Sequence, residues 1–213
     1  MIPNRLFRQP AENARGKLLE AAVKLVRMQR FAGTSVDHLC RQAGVTKGAF
    51  FHHFPSKEAL GVAAAQYWSE STGAFFADAP YHHIADSVER VLAYIDFRIA
   101  LVGGPVEAFT CVAGTMVQET FGTSDAIRRA CETSIMTNAG ALEADIAEAM
   151  AQANVTGTTA ASLARHMQAV IQGSFILAKT QEGHACADLA REQLGHLRRY
   201  FAMLFKADIP DPL

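Results

Sequence analysis

The sequence predicts an all-α protein, and three observations lead to that prediction. Apolar residues recur every three or four positions along most of the 213 residues, which is the period of an amphipathic helix. Serine, threonine, glycine and proline stand where such helices would begin or end. No segment alternates apolar and polar residues convincingly enough to indicate a strand. Half of the residues are apolar and 19% are charged, so the chain can bury a core.

Four helices are predicted in the first third of the chain. Thr34 with Asp37 three residues later resembles a capping box, and Gly44 suits a position of positive φ. Pro55 must end the third helix, and Ser56 is a good cap for the fourth. These signals predict helices over about 11–29, 34–44, 46–54 and 56–76.

Five further helices are predicted in the rest of the chain, which makes about nine in all. Pro105 suits the first turn of one of them, and Ser124 suits the cap of the next. The paired residues His82 and His83 are expected at a surface helix start. The predicted ranges are about 85–102, 105–122, 124–154, 158–183 and 186–206.

The charge is distributed unevenly. Residues 1–57 contain ten Lys and Arg against three Asp and Glu, whereas residues 58–213 contain ten against eighteen. The net charge of −1 therefore conceals a basic N-terminal part and an acidic remainder. A basic part of this kind indicates a polyanionic partner, although small charged domains are often merely soluble. We expect a DNA-binding domain over 1–57 and a second helical domain over 58–213.

Composition also argues against several protein classes. No stretch approaches the ~18 consecutive apolar residues of a membrane span, and the N-terminus has no apolar signal region. The four cysteines have no CxxC spacing, which favours a reduced, cytoplasmic compartment. No GxSxG, phosphate loop or dinucleotide motif is present, and the histidine pairs are adjacent instead of spaced i, i+4. We expect no enzyme, no cofactor, no metal and no membrane partner.

A helix-turn-helix is predicted over 34–54, where a helix, a glycine turn and a short helix follow one another. The second helix would enter a major groove of double-stranded DNA with its N-terminal residues nearest the bases. Short helix pairs around a glycine are common in all-α proteins, so this pattern alone leaves ordinary packing open. The candidate DNA-binding residues are Thr34, Ser35, Thr46, Lys47, Gly48, Ala49, Phe51, His52, His53 and Lys57.

Each candidate has a chemical reason. Backbone amides at the start of the second helix can hold a phosphate, and Lys47 adds a mobile positive charge. Gly48 and Ala49 place no bulky side chain on the helix surface, so the backbone can approach the DNA. Ala49 can also touch a thymine methyl. The two histidines can reach a phosphate or a base edge. Lys57 would contact phosphate at a second point, and Thr34 or Ser35 would do so across the groove.

The string AGVTKGAFFHHFPSKEAL, residues 43–60, resembles the TetR family of bacterial transcriptional regulators. The resemblance is strong over about 50 residues near the N-terminus; the remainder matches only as an all-helical body. One position departs from the motif, because Phe51 stands where the family usually has a tyrosine that contacts phosphate. Basic residues of the N-terminal tail would then supply part of the affinity: Arg5, Arg8 and Arg15. Core packing is the alternative for Phe50 and Phe54, and for Phe51 both interpretations stay open.

The resemblance implies a ligand-responsive repressor. Such a protein is a homodimer formed by its last two long helices, binds a pseudo-palindromic operator and is released by a small-molecule effector. Residues of the predicted body are candidate effector contacts, although residues of these types are more often ordinary core. They are Tyr67, Trp68, Phe97, Cys111, Met116, His166 and Phe175.

Two alternatives accompany this interpretation. The segment CVAGTMVQE, which begins at Cys111, resembles a part of some family members in which a thiol senses electrophiles. Glu107 one turn earlier would disfavour a reactive thiolate, so an inert buried cysteine is the competing interpretation. The departure at Phe51 also leaves open a folded head that no longer binds DNA, in a helical adaptor.

Overall fold

The computed structural model describes residues 11–207, and every regular element in that range is a helix. The prediction of an all-α fold is therefore confirmed. Among the described residues a short 3-10 helix, Pro80–His83, stands between the fourth and fifth α-helices. The α-helices are α1 Ala14–Gln29, α2 Val36–Ala43, α3 Lys47–His53, α4 Lys57–Ala77, α5 Ser87–Leu101, α6 Val106–Phe109, α7 Val112–Thr120, α8 Asp125–Gly140, α9 Glu143–Ala153, α10 Ala160–Ala178 and α11 Ala185–Phe205.

Local capping explains where the first helices begin and end. Gly44 ends α2 at φ +65°, the left-handed conformation that glycine adopts without steric cost. The Thr46 hydroxyl accepts from the Ala49 amide at 3.1 Å, and α3 begins there. The Ser56 hydroxyl accepts from the Ala59 amide at 3.0 Å at the start of α4. These three signals were readable from the sequence because a cap depends on neighbouring residues only.

Two of the predicted long helices are each two helices, so residues 11–207 contain eleven α-helices where the sequence predicts about nine. The segment predicted over 105–122 breaks at Thr110 and Cys111, where the Cys111 thiol accepts from the Gly114 amide at 3.3 Å and caps α7. The segment predicted over 124–154 breaks at Ala141 and Leu142, and Leu142 is buried. Apolar spacing continues across both breaks, so periodicity alone could not reveal them.

The described chain divides into two compact units. The head unit comprises residues 11–74 and 110–135, and the body unit comprises residues 75–109 and 136–207. Helix α7 and most of α8 therefore belong to the same unit as the first three helices. The sequence predicts a boundary after residue 57 that separates DNA binding from effector binding. The two units described here are defined by packing contacts instead, so that boundary stays a prediction.

The head unit has two apolar clusters that share α1. Leu18 and Leu25 pack in one cluster with Leu39 of α2 and Phe50 of α3. Val26 packs in the other with residues of α4, α7 and α8, namely Trp68, Met116 and Ile127. Because α1 is buried on two faces, its buried residues are almost consecutive from Leu18 to Arg27.

The body unit is a bundle in which α10 packs along α11 and α5 packs against α9 and α11. The Arg90 guanidinium joins α5 to α9 through Asp145 at 2.8 Å and Glu148 at 2.5 Å. Arg198 of α11 reaches Asp96 of α5 at 2.7 Å. None of the described helices is both long enough and apolar enough to cross a membrane.

Helices α10 and α11 also carry large apolar side chains that the body unit leaves exposed. They are Ile176, Leu177, Tyr200 and Met203. Their exposed fractions, from 42% to 66%, are high for residues of this size in a bundle.

Candidate nucleic-acid interface

Helix α3 is fixed by its aromatic side chains on one face and open on the other. Phe50 is fully buried and Phe54 is 3% exposed, and both belong to the core of the head unit. This packing accounts for both rings as core residues. The opposite face exposes Thr46, Lys47 and Gly48 at the first turn, with His52 farther along. An exposed basic first turn on a rigidly packed short helix is the geometry of a recognition helix.

The first turn of α3 offers space as well as charge. A Cβ added at Gly48 would meet only the Thr46 hydroxyl at 3.8 Å, so the surface there is open. The amides of Lys47 and Gly48 lie in the first turn, where no preceding helical carbonyl can accept from them. These amides can therefore bind a phosphate oxygen, as the sequence predicts.

Lys47 has a partner that sequence analysis did not assign to it. Its Nζ lies 3.0 Å from the Asp37 carboxylate of α2, and both side chains are exposed. Asp37 appeared in the sequence only as part of a capping signal. The Asp37 carboxylate therefore competes with any DNA phosphate for the Lys47 ammonium group.

Phe51 and the two histidines lie at the end of α3. Phe51 is 51% exposed, and its ring meets Phe50 edge-on at 5.2 Å between centroids. His52 is exposed, and its ring centroid lies 4.9 Å from that of half-buried His53. Phe51 is thus directed outward, and it presents a ring edge where the motif usually has a hydroxyl.

The predicted helix start at Thr34 is wrong. Ser35 caps α2 instead, because its hydroxyl accepts from the His38 amide at 3.1 Å. Thr34 is 1% exposed, and its hydroxyl donates to the Arg30 carbonyl at 2.7 Å. A hydroxyl held in this way does not face solvent, so Ser35 is the better candidate for a phosphate contact.

Lys57 is half-buried, and its side chain contacts the turn between α1 and α2. Its Nζ donates to the Ala32 carbonyl at 3.3 Å and lies 4.5 Å from the centroid of the Phe31 ring. Burial lowers the pKa of Lys57, and the nearby Glu119 carboxylate opposes that shift. The side chain is therefore a structural contact of the head as well as a candidate phosphate contact.

Glu119 is the residue of this region that sequence reasoning missed. Its carboxylate accepts from the Phe31 amide at 3.3 Å and from the Ala32 amide at 2.8 Å. Glu119 is the charged residue of α7 and lies 87 residues from Ala32 along the chain. No local sequence pattern therefore indicates the contact.

The basic tail is only partly described. Arg5 and Arg8 lie outside the described residues. Arg15 is exposed on α1, with its guanidinium carbon 5.6 Å from the centroid of the Phe54 ring. Ala49 is half-buried at the first turn of α3, between the core face and the open face.

Four of the predicted effector contacts lie in the head unit. Met116 is fully buried and Trp68 is 7% exposed, and both belong to the cluster between α1, α4, α7 and α8. The Arg27 guanidinium carbon lies 4.9 Å from the centroid of the Trp68 ring. Tyr67 and Cys111 pack at the edge of this cluster. Burial raises the pKa of the Tyr67 hydroxyl.

The other three predicted effector contacts lie in the body unit, in different surroundings. Phe97 stacks on Phe75 at 5.7 Å between centroids, within a group of aromatic rings. Phe175 is buried 6.1 Å from Phe109. His166 is exposed, and its ring lies 5.0 Å from that of Tyr200. Each of these three rings thus contacts a different aromatic partner.

Cys111 is the least buried of the four cysteines. It is partly exposed at the start of α7, whereas Cys40, Cys131 and Cys186 are buried. Glu107 belongs to α6, so it does not share a helix with the thiol as predicted. Burial, together with the charge of nearby Cys111, raises the pKa of Cys131 to about 12. Among residues 11–207, no group of three His, Cys, Asp or Glu side chains is arranged to hold a metal ion.

Two family models match the chain. Residues 18–64 match the model described as bacterial regulatory proteins, tetR family. Residues 88–193 match the C-terminal domain of LmrA/YxaF-like transcriptional regulators. The first match spans α2, α3 and most of α1, and the second ends within α11.

Similar proteins cover nearly the whole chain. The HTH-type transcriptional regulator LmrA of Bacillus subtilis is 25% identical over 79% of this chain and 87% of its own length. The uncharacterized regulator YxaF of the same organism is 23% identical over 88% of this chain and 96% of its own. Among solved structures, reduced E. coli NemR has a TM-score of 0.76 at 20% identity, covering 93% of this chain and 99% of that one. A TetR regulatory protein from Rhodobacter sphaeroides has a TM-score of 0.75 at 19% identity, covering 89% and 97%.

Proposed function

Because this chain belongs to the TetR family of bacterial regulatory proteins, we propose that it is a homodimeric repressor that binds a pseudo-palindromic operator and is released by a small-molecule effector. One observation supports the DNA-binding part above all others. Phe50 of α3 and Phe54 directly after it are buried, whereas the basic first turn of α3 is open. The residues that we propose for DNA contact are Ser35, Thr46, Lys47, Gly48, Ala49, Phe51, His52, His53 and Lys57.

The exposed apolar side chains of α10 and α11 support the proposed homodimer. Isologous interfaces between two copies bury a patch of this kind against itself. A dimer also supplies the two recognition helices that a pseudo-palindrome requires.

The effector is proposed to act by binding one of two conformations of the dimer better than the other. Tyr67, Trp68, Cys111 and Met116 are the better-supported contacts, because they share one cluster of the head unit. Phe97, His166 and Phe175 stay proposed contacts as well, although each packs against a different aromatic ring. An electrophile that modifies Cys111 is a second candidate effector, favoured by the partial exposure of that thiol at the start of α7.

The DNA-binding proposal is tested by fluorescence anisotropy with the DNA upstream of the gene, at two salt concentrations and with excess random DNA. We expect tight, salt-sensitive binding that random DNA does not compete away. Binding that random DNA removes, or none at low salt, would contradict the proposal and favour the non-DNA-binding adaptor.

A matched pair of glycine variants separates DNA contact from folding. Gly48→Glu places a carboxylate on the open first turn of α3, where the helix tolerates it but a phosphate does not. Gly73→Glu makes the same charge change on α4, where an added Cβ meets nothing within 4 Å. We expect the first variant to lose DNA binding and the second to retain it.

A further inference from the structure

We infer that Glu119 is a positioning residue for DNA binding, which holds the turn between α1 and α2 and thereby orients the helix-turn-helix. The inference rests on the proposed DNA-binding function and extends it to a residue on α7. The family motif ends before this helix, and nothing in the spacing of the sequence assigns Glu119 a part in the head.

The first support is the contact itself. The two carboxylate oxygens of Glu119 accept from two successive amides of the turn, Ala32 at 2.8 Å and Phe31 at 3.3 Å. A charged acceptor forms stronger hydrogen bonds than a neutral one, and two bonds define an orientation as well as a distance. Helix α7 therefore holds the backbone of the turn directly through the Glu119 side chain.

The second support is that the same turn is also held from α4, through the next peptide group. The Ala32 carbonyl accepts from Lys57 Nζ at 3.3 Å, and the Phe31 ring lies beneath that ammonium group. The ring also lies close to Gly61 of α4, where an added Cβ would be only 2.9 Å from it. The turn is thus fixed between α4 and α7.

A second contact, between α4 and the segment that joins α7 to α8, lies in the same unit. The Ser124 hydroxyl donates to the Glu58 carboxylate in the first turn of α4. It also accepts from the Ile127 amide at 3.2 Å and so caps α8. Glu119 and Ser124 therefore connect α7 and the start of α8 to the N-terminal part of the head unit at two separate places.

The turn sets the position at which α2 begins, and α3 packs against α2. Gln29 at the end of α1 donates to the Gly33 carbonyl at 3.1 Å and lies 2.9 Å from His38 of α2. A loosened turn would leave every DNA-contacting side chain present but poorly oriented. The affinity for the operator would decrease more than the affinity for random DNA, because phosphate contacts in random DNA require a less exact orientation.

The sign of the effect distinguishes positioning from plain electrostatics. Glu119 is an acidic group near a DNA-binding surface, so removal of its charge alone would tighten binding to any DNA. Loss of positioning would weaken binding to the operator instead. The matched control is Glu132→Gln, which removes an exposed carboxylate of α8 that pairs only locally with Arg128.

The test uses a DNA fragment that the wild-type protein selects from a random pool, with random DNA as the comparison. For Glu119→Ala we expect an operator affinity about tenfold lower, with a random-DNA affinity equal to that of the wild type or higher and an unchanged salt slope. Glu119→Gln, which keeps one acceptor, should fall between Ala and wild type. Glu132→Gln should bind like wild type, and thermal unfolding of each variant shows that it is folded.

Amide hydrogen exchange supplies a readout without DNA. The Phe31 and Ala32 amides should exchange about tenfold faster in Glu119→Ala and at the wild-type rate in Glu132→Gln. Unchanged exchange, or an unchanged ratio of operator to random affinity, would overturn the positioning role. A wild-type protein that selects no DNA would overturn the proposed function itself, a result that does not depend on the variants.

Discussion

Lys47 at the start of α3 and Asp37 in the first turn of α2 form an ion pair with 3.0 Å between Nζ and Oδ1. Their side chains are 59% and 70% exposed, and pairs this exposed contribute about 0–1 kcal/mol. The pair is therefore easily exchanged for a phosphate. It lies at the position where the recognition helix is proposed to meet DNA.

Replacement of Lys47 by alanine should weaken binding to every DNA sequence. The variant loses one phosphate contact and leaves Asp37 unpaired, so the slope of log affinity against log salt should decrease by about 1. Anisotropy titrations over a salt series measure both quantities. Lys206→Asn, a charge change at the end of α11, is the control and should leave the slope unchanged.

Replacement of Asp37 by asparagine should have the opposite effect. Lys47 would no longer need to leave a carboxylate before it reaches a phosphate, so affinity at low salt should increase by about threefold. The increase should vanish in the Asp37→Asn, Lys47→Ala double variant. An increase that persists there would mean that Asp37 acts on DNA by general repulsion, independently of the pair.

Phe51→Tyr should tighten DNA binding. Phe51 is 51% exposed, so an added hydroxyl can reach outside the protein without disturbing the core. One hydrogen bond to a charged phosphate contributes about 1.5–3 kcal/mol, which corresponds to roughly tenfold or more in affinity. Unchanged affinity in the same anisotropy assay would show that the ring does not face the phosphate backbone.

Met203→Glu should convert the proposed dimer to a monomer. Met203 is 66% exposed on α11, and a carboxylate buried at an interface has a large desolvation cost. Sedimentation velocity measures the change, and operator affinity should decrease about 100-fold as two linked heads become one. The control is Phe121→Glu, at a residue that is 70% exposed in the head unit and outside α10 and α11. A dimer that survives the Met203 change would move the interface elsewhere.

Iodoacetamide at pH 8 should modify Cys111 before the other three cysteines. Cys111 is partly exposed, whereas the pKa of Cys131 is raised to about 12 and its thiol stays protonated and buried. Mass spectrometry of peptides taken during the reaction gives the order. Equal rates at all four positions would indicate modification of the unfolded chain. Modified protein that still binds DNA would rule out the electrophile-sensing alternative.

The helix-turn-helix was predictable because its signals are local. Gly44, Thr46 and Ser56 act on amides within three residues or on their own φ, so the sequence carries the whole argument. The apolar faces of α1 and α3 follow from spacing in the same way. The break before Cys111 was not predictable, because apolar spacing continues across it.

The sequence by itself determined the helical class, the basic recognition helix and the open glycine at its first turn. These properties depend on residues a few positions apart. Only the tertiary structure decided that Thr34 is buried, that Asp37 pairs with Lys47 and that Glu119 holds the turn at Ala32. Each of these contacts joins different helices or depends on how they pack. Which side chains meet between two helices depends on how the whole helices pack, and no local sequence pattern encodes that packing.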